Sequence, residues 1–441
     1  MHFSPRAITG IAVFITVAIL YTINAVSARD PTSFFFNPRK GYAAKYSTIR
    51  RQQAEDFLQA YHDTPSHDVM KAGPERDRKL CIGIPSFKRD GVDYLRDTVG
   101  SLLEGLTTAE RQEIYLIVFI PHSNPNVHPD YNAAWLPGLA DQVLTYQFGD
   151  DQMQHIRNME RQGGLYVEKA LFDHRYLLSA CAEQYTPYIA MIEDDVIAMD
   201  GWYHRTMDAI NQAEQHAAER RARADFLYLR LFYTEEFFGW NAEDWRSYLY
   251  YSLWTASVPT AILLFVRCAR PTTKLSLTIT TPRSVVAIYS LLATGILIYF
   301  GMGRNTVLPI PTGVAEMAEY GCCAQGFVFP HLKALALIEY YKDRRLGFVD
   351  VLTEDYANER GELRYAMTPS VLQHVGKKSS KIDDYGPQSK WGRSVAEKIW
   401  SFTFEKFDWR KLRREHEESA RRKSEAQAER EARFANQQAG V

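Results

Sequence analysis

Two apolar stretches in the middle of the chain constrain its fold more than any other feature. "YLYYSLWTASVPTAILLFV" (Tyr248 to Val266) and "VVAIYSLLATGILIYFGMG" (Val285 to Gly303) contain no acidic or basic residue. Each has about the length a helix needs to cross a hydrocarbon core of roughly 30 Å. Their aromatic flanks suit a bilayer interface, and a proline such as Pro259 is tolerated in membrane helices. The alternative is a helical hairpin buried in a globular core. A third stretch, "AITGIAVFITVAILYTINAV" (Ala7 to Val26), reads as an uncleaved signal anchor. The small residues of "AVSA" leave a cleaved signal peptide as its alternative.

The linker between the two central stretches sets the topology. Arg267, Arg270, Lys274 and Arg283 make a short basic loop with no acid, which the positive-inside rule places in the cytosol. Both flanks of the hairpin then share the far side and can build one domain there. The chain divides into a cytosolic start (1–6), the anchor (7–26), a lumenal stem (27–78), a domain in two parts (79–247 and 304–408), the hairpin (248–303, basic loop 267–283) and a charged tail (409–441). One feature opposes this orientation. Arg29, Arg39, Lys40, Lys45, Arg50 and Arg51 follow the first stretch, and only Arg6 precedes it.

Outside these stretches the sequence reads as a folded α/β domain. "KLCIGIPSF", "EIYLIVFIP", the run entering "MIEDDV" and "ADFLYLRLFY" read as strands. "GVDYLRDTVGSLLEGL" and "LYVEKALFDHRYLLSACAEQ" read as helices between them. Alternation of this kind predicts a mostly parallel sheet. "GFVFPHLKALALIEYYKDRRLGF" and "VDVLTEDYA" are expected to be largely helical, and the tail from Trp409 a solvated helix. A net charge of -1 and a pI near 6.9 exclude a general nucleic-acid binder. The five cysteines show no zinc spacing. Either they are buried thiols, or Cys322 or Cys323 pairs with Cys81 or Cys181.

The chemistry concentrates in "YIAMIEDDVIAMDGW". Glu193, Asp194 and Asp195 follow a buried strand, at the carboxyl end where open α/β sheets bind ligands. Adjacent carboxylates repel, and a hard divalent ion such as Mn²⁺ or Mg²⁺ is the simplest thing that makes them favourable. The bland alternative is a solvated turn. With a nucleotide-binding sheet and a membrane anchor, the triplet points to a GT-A-type glycosyltransferase with a nucleoside-diphosphate leaving group; UDP-sugar as the donor is what the resemblance below implies. There an ion bridging the diphosphate offsets the charge of the leaving group.

Four blocks carry a family resemblance: "GIPSFKRDGVDYLRDTVGSLLEGL", "IEDDVIAMDGWYHRTM", "IEYYKDRRLGFVDVLTEDYA" and "PSVLQHVGKKSS". In that order they resemble the N-acetylglucosaminyltransferase IV family. The hairpin inside the domain is not part of that pattern, and resembles instead the related post-GPI-attachment N-acetylgalactosaminyltransferase family. The resemblance implies a Golgi membrane enzyme with a GT-A fold split by a membrane hairpin, moving GalNAc onto the glycan of GPI-anchored proteins beside the lipid bilayer. Nothing in the motifs specifies the sugar, so UDP-GlcNAc and UDP-galactose stay open as donors, as does a non-catalytic scaffold. The extra C-terminal lectin-like module of the N-acetylglucosaminyltransferase IV group is not expected here, where a charged tail stands instead.

Asp195, the last acid, is the expected metal ligand. Asp194 and Glu193 are expected at metal-bound water or the ribose. By resemblance His374 completes the metal site, and Asp350 is the general base of an inverting transfer, seated at a helix N-cap. Glu354 and Asp355 are the alternative bases. Pro85, Lys88 and Arg89 follow the first strand, where nucleotide base and diphosphate approach in such folds, and Lys169 is expected to reach the donor. The same resemblance implies that Lys378, Ser379 and Ser380, which flank His374, touch phosphate.

Overall fold

The computed structural model describes residues 5–63, 77–89, 91–161, 165–221, 225–317, 321, 323–377 and 393–439. The expected phosphate contacts Lys378, Ser379 and Ser380 lie outside the described residues, as does Cys322. The chain forms two compact units, one of residues 1–43 and 234–310, the other of residues 44–233 and 311–441.

The larger unit is built on an eight-stranded sheet. Its strands are β1 (Leu80–Pro85), β2 (Ile114–Phe119), β3 (Gln142–Leu144), β4 (Tyr188–Ile192), β6 (Tyr228–Arg230), β7 (Gly313–Glu316), β8 (Gly326–Pro330) and β9 (Arg364–Thr368). Their order is β3-β2-β1-β4-β8-β6-β9-β7. The half from β3 to β4 is parallel throughout, while β8 runs antiparallel to both β4 and β6, and β7 antiparallel to β9. The sheet is thus mixed, with a parallel half. A separate antiparallel pair joins β5 (Val196–Ala198) to β10 (Leu372–His374).

Alternation along β1 explains the layering. Leu80, Ile82 and Ile84 enter the apolar layer shared with the helix Leu95–Leu103, and Cys81 enters the opposite layer with the helix Tyr166–Ala182. That helix lies so close to the sheet that a Cβ on Gly83 would stand 2.9 Å from Leu177 Cγ, which glycine alone avoids. On the same face Cys81 and Cys181 form a disulfide. These two cysteines pair with one another, so neither is a free thiol nor a partner of the later cysteines.

Three expectations change with the structure. "GFVFP" is strand β8 rather than helix, and the helix runs from His331 to Arg344. The expected stem from residue 44 onward belongs to the larger unit: the helix Tyr46–Asp63 buries Arg50 completely, with Nε donating to Ala198 O and Nη2 to Ser101 O. The tail helix Trp409–Ala439 is docked at its start, where Leu412 and His416 are buried.

The smaller unit holds the apolar helices Pro5–Ser27, Trp245–Ala269 and Pro282–Gly301. The last two are long and apolar enough to cross a membrane, and neither is buried in the structure. Phe265, Leu291 and Leu297 are all more than 70% exposed, which excludes a hairpin hidden in a globular core. Near one end Asp30 accepts from Thr306 N and Oγ1, and Trp240 Nε1 donates to Phe300 O.

The disulfide closes a loop of sequence separation 100, a constraint worth about 2–5 kcal/mol in domains of this kind. A Cys81→Ser/Cys181→Ser variant is expected to melt several degrees below the wild type in detergent. An unchanged melting temperature would show that the bond adds nothing to stability.

Candidate active site

The parallel half of the sheet reverses direction at β1. From β1 the chain steps outward to β2 and β3, then returns to lay β4 on the other side of β1. The crevice between the carboxyl ends of β1 and β4 is the switch point where such sheets bind ligands. Register aligns Gly83 with Met191, so the residues after Pro85 meet the acidic triplet after Ile192.

Each acid of the triplet has a different principal partner, although Arg89 Nη2 also reaches Asp195 Oδ2 at 3.5 Å. Asp194 is buried and held by a bidentate pair with Arg89, Nη1 to Oδ2 and Nη2 to Oδ1, both 2.8 Å. Ser86 Oγ donates to Asp194 Oδ2 at 2.7 Å, and Phe87 N at 3.3 Å. Burial pushes the Asp194 carboxyl up, with Arg89 opposing. Gln325 Nε2 donates to Glu193 Oε2 at 3.0 Å. Asp195 faces His374, Oδ2 to Nε2 at 3.4 Å, because β10 pairs with β5 in the register His374 to Val196. The turn is buried, not solvated.

The Asp195–His374 end fits a divalent ion by its chemistry. Asp195 Oδ1 is buried with no hydrogen-bond partner. His374 Nδ1 is 3.0 Å from Ile399 O, so donation there leaves Nε2 as the lone-pair nitrogen, the arrangement of a metal-binding imidazole. A Cβ on Gly376 would sit 2.3 Å from Asp195 Oδ2 and 2.8 Å from His374 Nε2, so only glycine leaves that space open. The cluster relieves its repulsion partly through Arg89, which leaves Asp195 Oδ1 as the unsatisfied oxygen.

Several contributors carry no motif of their own. His128 Nδ1 accepts from Asp130 N at 3.2 Å, so its Nε2 carries the proton towards Ser86 Oγ, 3.1 Å away. Burial lowers the His128 pKa. Burial, then the charge of Lys169, pushes His122 down to about 4, so its neutral Nε2 accepts from Lys88 N at 3.0 Å. Thr98 Oγ1 donates to the Asp194 carbonyl, and Arg89 lies over the Tyr94 ring. Serine and threonine hydroxyls in a helix or turn are too common in sequence to flag such roles.

The remaining expected residues are placed as follows. Pro85 ends β1 and is half-buried, and the Lys88 side chain is exposed beside the crevice. Lys169 is buried, its ammonium donating to Pro121 O, Tyr146 Oη and Asp173 Oδ2 at 2.7–2.8 Å. All three protons are engaged inside the protein, so Lys169 supports the wall of the crevice rather than reaching out for a donor. Asp350 sits in the first turn of the helix Val349–Arg360, whose N-cap is Phe348, so the expected N-cap role is not its own. No hydrogen bond or ion pair joins Asp350 to the triplet among the described residues. Phe348 packs near Tyr166, 6.5 Å between rings, at the start of the helix that carries Lys169. Glu354 is no free base: it is buried between Arg230 and Arg364, at 2.7 and 2.6 Å.

A parallel half-sheet with its acids gathered at the switch point is consistent with a glycosyltransferase domain. Residues 80–373 match the family described as GPI-N-acetylgalactosamine transferase PGAP4. With more than half of the chain matched, the protein belongs to that family. It is also similar to alpha-1,3-mannosyl-glycoprotein 4-beta-N-acetylglucosaminyltransferase C of Mus musculus, 27% identical over 142 residues, and of Macaca fascicularis, 26% over 142 residues. Each alignment covers 28% of this chain and 28% of the relative, so the chain spans little more than a quarter of the curated relatives it matches. The resemblance read from the four sequence blocks is borne out.

Removing one member of a buried ion pair typically costs about 3–5 kcal/mol, because the other charge is stranded. Arg89→Ala is therefore expected to destabilise the fold by that order in denaturant unfolding, and Arg89→Ala/Asp194→Asn to recover much of the loss. Equal losses in both variants would show the pair to be uncoupled.

The Asp195–His374 pair sets a pH window. Burial acts to raise Asp195 and to lower His374, but each partner's charge outweighs it, so Asp195 is lowered and His374 raised. The carboxylate's share of stability is lost as pH falls through its depressed pKa. The imidazole's share is fully present below about 6.5 and lost as pH rises through its raised pKa. In chelator-treated protein, His374→Gln is expected to flatten the fall in melting temperature above pH 6.5. An unaltered slope would remove the pair from the account.

Proposed function

We propose that the protein is a metal-dependent, inverting transferase that moves an N-acetylhexosamine, GalNAc from UDP-GalNAc, onto the glycan of GPI-anchored proteins, from a Golgi membrane and with its larger unit in the lumen. The observation that carries this reading is the buried Asp195–His374 pair with its orphaned carboxylate oxygen at the β1/β4 switch point. The family match supports the GPI glycan as acceptor. The two unburied apolar helices support an enzyme held at a bilayer, where a lipid-anchored glycan would be presented. A GT-A fold, a signal anchor at residues 7–26 and a cytosolic basic loop belong to the same reading.

Asp195 and His374 would hold Mn²⁺ or Mg²⁺, with Glu193 nearest to metal-bound water or ribose, while Asp194, both oxygens held by Arg89, serves as counter-charge rather than in that expected role. When bound, the ion supplies positive charge that stabilises the departing diphosphate. Arg89 holds Asp194 in place and keeps the crevice from carrying three uncompensated carboxylates. Pro85, Lys88 and Arg89 line the approach of the nucleotide. Asp350, in the first turn of a helix whose N-terminal dipole favours the carboxylate, takes the proton of the attacking acceptor hydroxyl.

The test is donor turnover by the full-length chain in detergent with Mn²⁺, offered UDP-GalNAc, UDP-GlcNAc or UDP-galactose. UDP release from UDP-GalNAc is expected, lost in Asp195→Ala and in His374→Ala. Asp350→Asn is expected to lower kcat about 10²–10⁴-fold while UDP binding persists. Turnover of another sugar alone would correct the donor. No release and no UDP binding would overturn the enzyme mechanism proposed here.

A further inference from the structure

A second cluster of ligating side chains lies away from this crevice. Glu110 belongs to the short helix Thr108–Gln112 that precedes the amino end of β2, whereas the acidic triplet follows the carboxyl end of β4. The cluster therefore sits at the opposite end of the parallel half-sheet. His204 comes from the first turn of the helix Trp202–Arg221, and His416 from the tail helix. All three are at least 96% buried, and one donor atom from each lies within 4.8 Å of the others.

We propose that Glu110, His204 and His416 form a divalent-metal site of the zinc class that fastens the tail helix to the larger unit. Two imidazoles and one carboxylate are a zinc ligand set, with a fourth position left for water or a further carboxylate. Glu415 lies near, its Oε1 3.5 Å from His204 Nε2, but Arg205 holds both of its oxygens, so the fourth position falls to water. His416 has the support a ligating histidine needs. Its Nδ1 is 2.9 Å from Asp200 Oδ1, while its Nε2 faces Glu110 Oε2 at 2.9 Å. A carboxylate on the far nitrogen fixes the tautomer and leaves the near one to bind metal. Two atoms of the set are also unsatisfied: Glu110 Oε1 and His204 Nδ1 are buried with no hydrogen-bond partner. Atoms of that kind cost stability unless something occupies them.

Hydrogen bonds to Asp200 and Glu110 outweigh burial and raise His416 to about 9, while burial, then the charge of His416, lowers His204.

The experiment uses the full-length chain, stripped with chelator in detergent and carrying Asp195→Ala so that the crevice does not contribute. Zinc is added, bound metal is counted by elemental analysis, and melting temperature is followed. Cobalt replaces zinc in a parallel sample for its visible spectrum. One zinc per chain, a raised melting temperature, and cobalt bands of tetrahedral intensity are expected. All three should disappear in His204→Gln on the same background, a substitution that leaves the His416–Asp200 contact in place. Asp200→Asn is expected to weaken zinc about 10–100-fold, as loss of an outer carboxylate does elsewhere. In a chain with Asp195 intact, His204→Gln should leave donor turnover unchanged, which separates this site from the crevice. Less than stoichiometric zinc at micromolar concentration in folded protein, or equal binding by His204→Gln, would overturn the site and leave a protonated His416 clamp.

Discussion

The bidentate pair between Arg89 and Asp194 is the interaction on which the crevice depends. Three consecutive carboxylates at the end of a buried strand would otherwise have to be protonated or turned out to water. Arg89 prevents both, because its planar fork satisfies the two oxygens of Asp194 at once. Ser86, with His128 behind it, adds a third contact on the same carboxylate. With Asp194 fixed, its neighbour Asp195 faces His374 with one oxygen free. The acids therefore do different work although they are adjacent in sequence: one is a structural counter-charge, one bonds an amide, and one remains available as a ligand.

Much of this was legible in the sequence, and the limits have physical causes. β1, β2 and β4 announced themselves as short apolar runs, and their helices by periodicity, because both faces of a parallel sheet are covered. The acidic triplet was visible because charged residues rarely follow such runs without a reason. β8 was missed because "GFVFP" leads directly into a helix, and a short apolar run does not reveal which it is. Its antiparallel course between β4 and β6 is a long-range pairing that no local pattern encodes. The Asp194 partner was named in sequence as a nucleotide contact. Only the register of β1 against β4 reveals that Arg89 is already engaged within the protein.

The tail shows a different failure of pattern reading. Its sequence is apolar-poor and looks solvated, yet its first turns dock through polar groups. Arg413 pairs with Glu104, Glu415 with Arg205, and His416 with Asp200 and Glu110, with Leu412 as the apolar contact. Hydrophobic periodicity cannot find a helix that is held by charge. The insertion of the apolar hairpin is simpler to rationalise. It enters the chain after β6 and leaves before β7, strands that are not hydrogen-bonded to one another. An insertion in such a connection interrupts no ladder of the sheet, so the larger unit can keep its fold with the chain diverted between them.

The ion triad around Glu354 links these points to the chemistry. Arg230 is on β6, Arg364 begins β9, and Glu354 belongs to the helix that carries Asp350 in its first turn. Tyr228 Oη donates a further hydrogen bond to the same carboxylate. Apolar residues of similar volume would often be as stable as a buried triad of this kind, because desolvating the charges offsets most of their attraction. What the triad adds is direction: an apolar contact lets a helix slide or rotate, whereas three hydrogen-bonded charges admit a single register. Arg230 and Arg364 sit on neighbouring parallel strands, so the helix is fixed against the sheet itself. Its first turn is held with it, one helical turn before Glu354. The acid that looked in sequence like an alternative base is thus the anchor that sets where Asp350 stands.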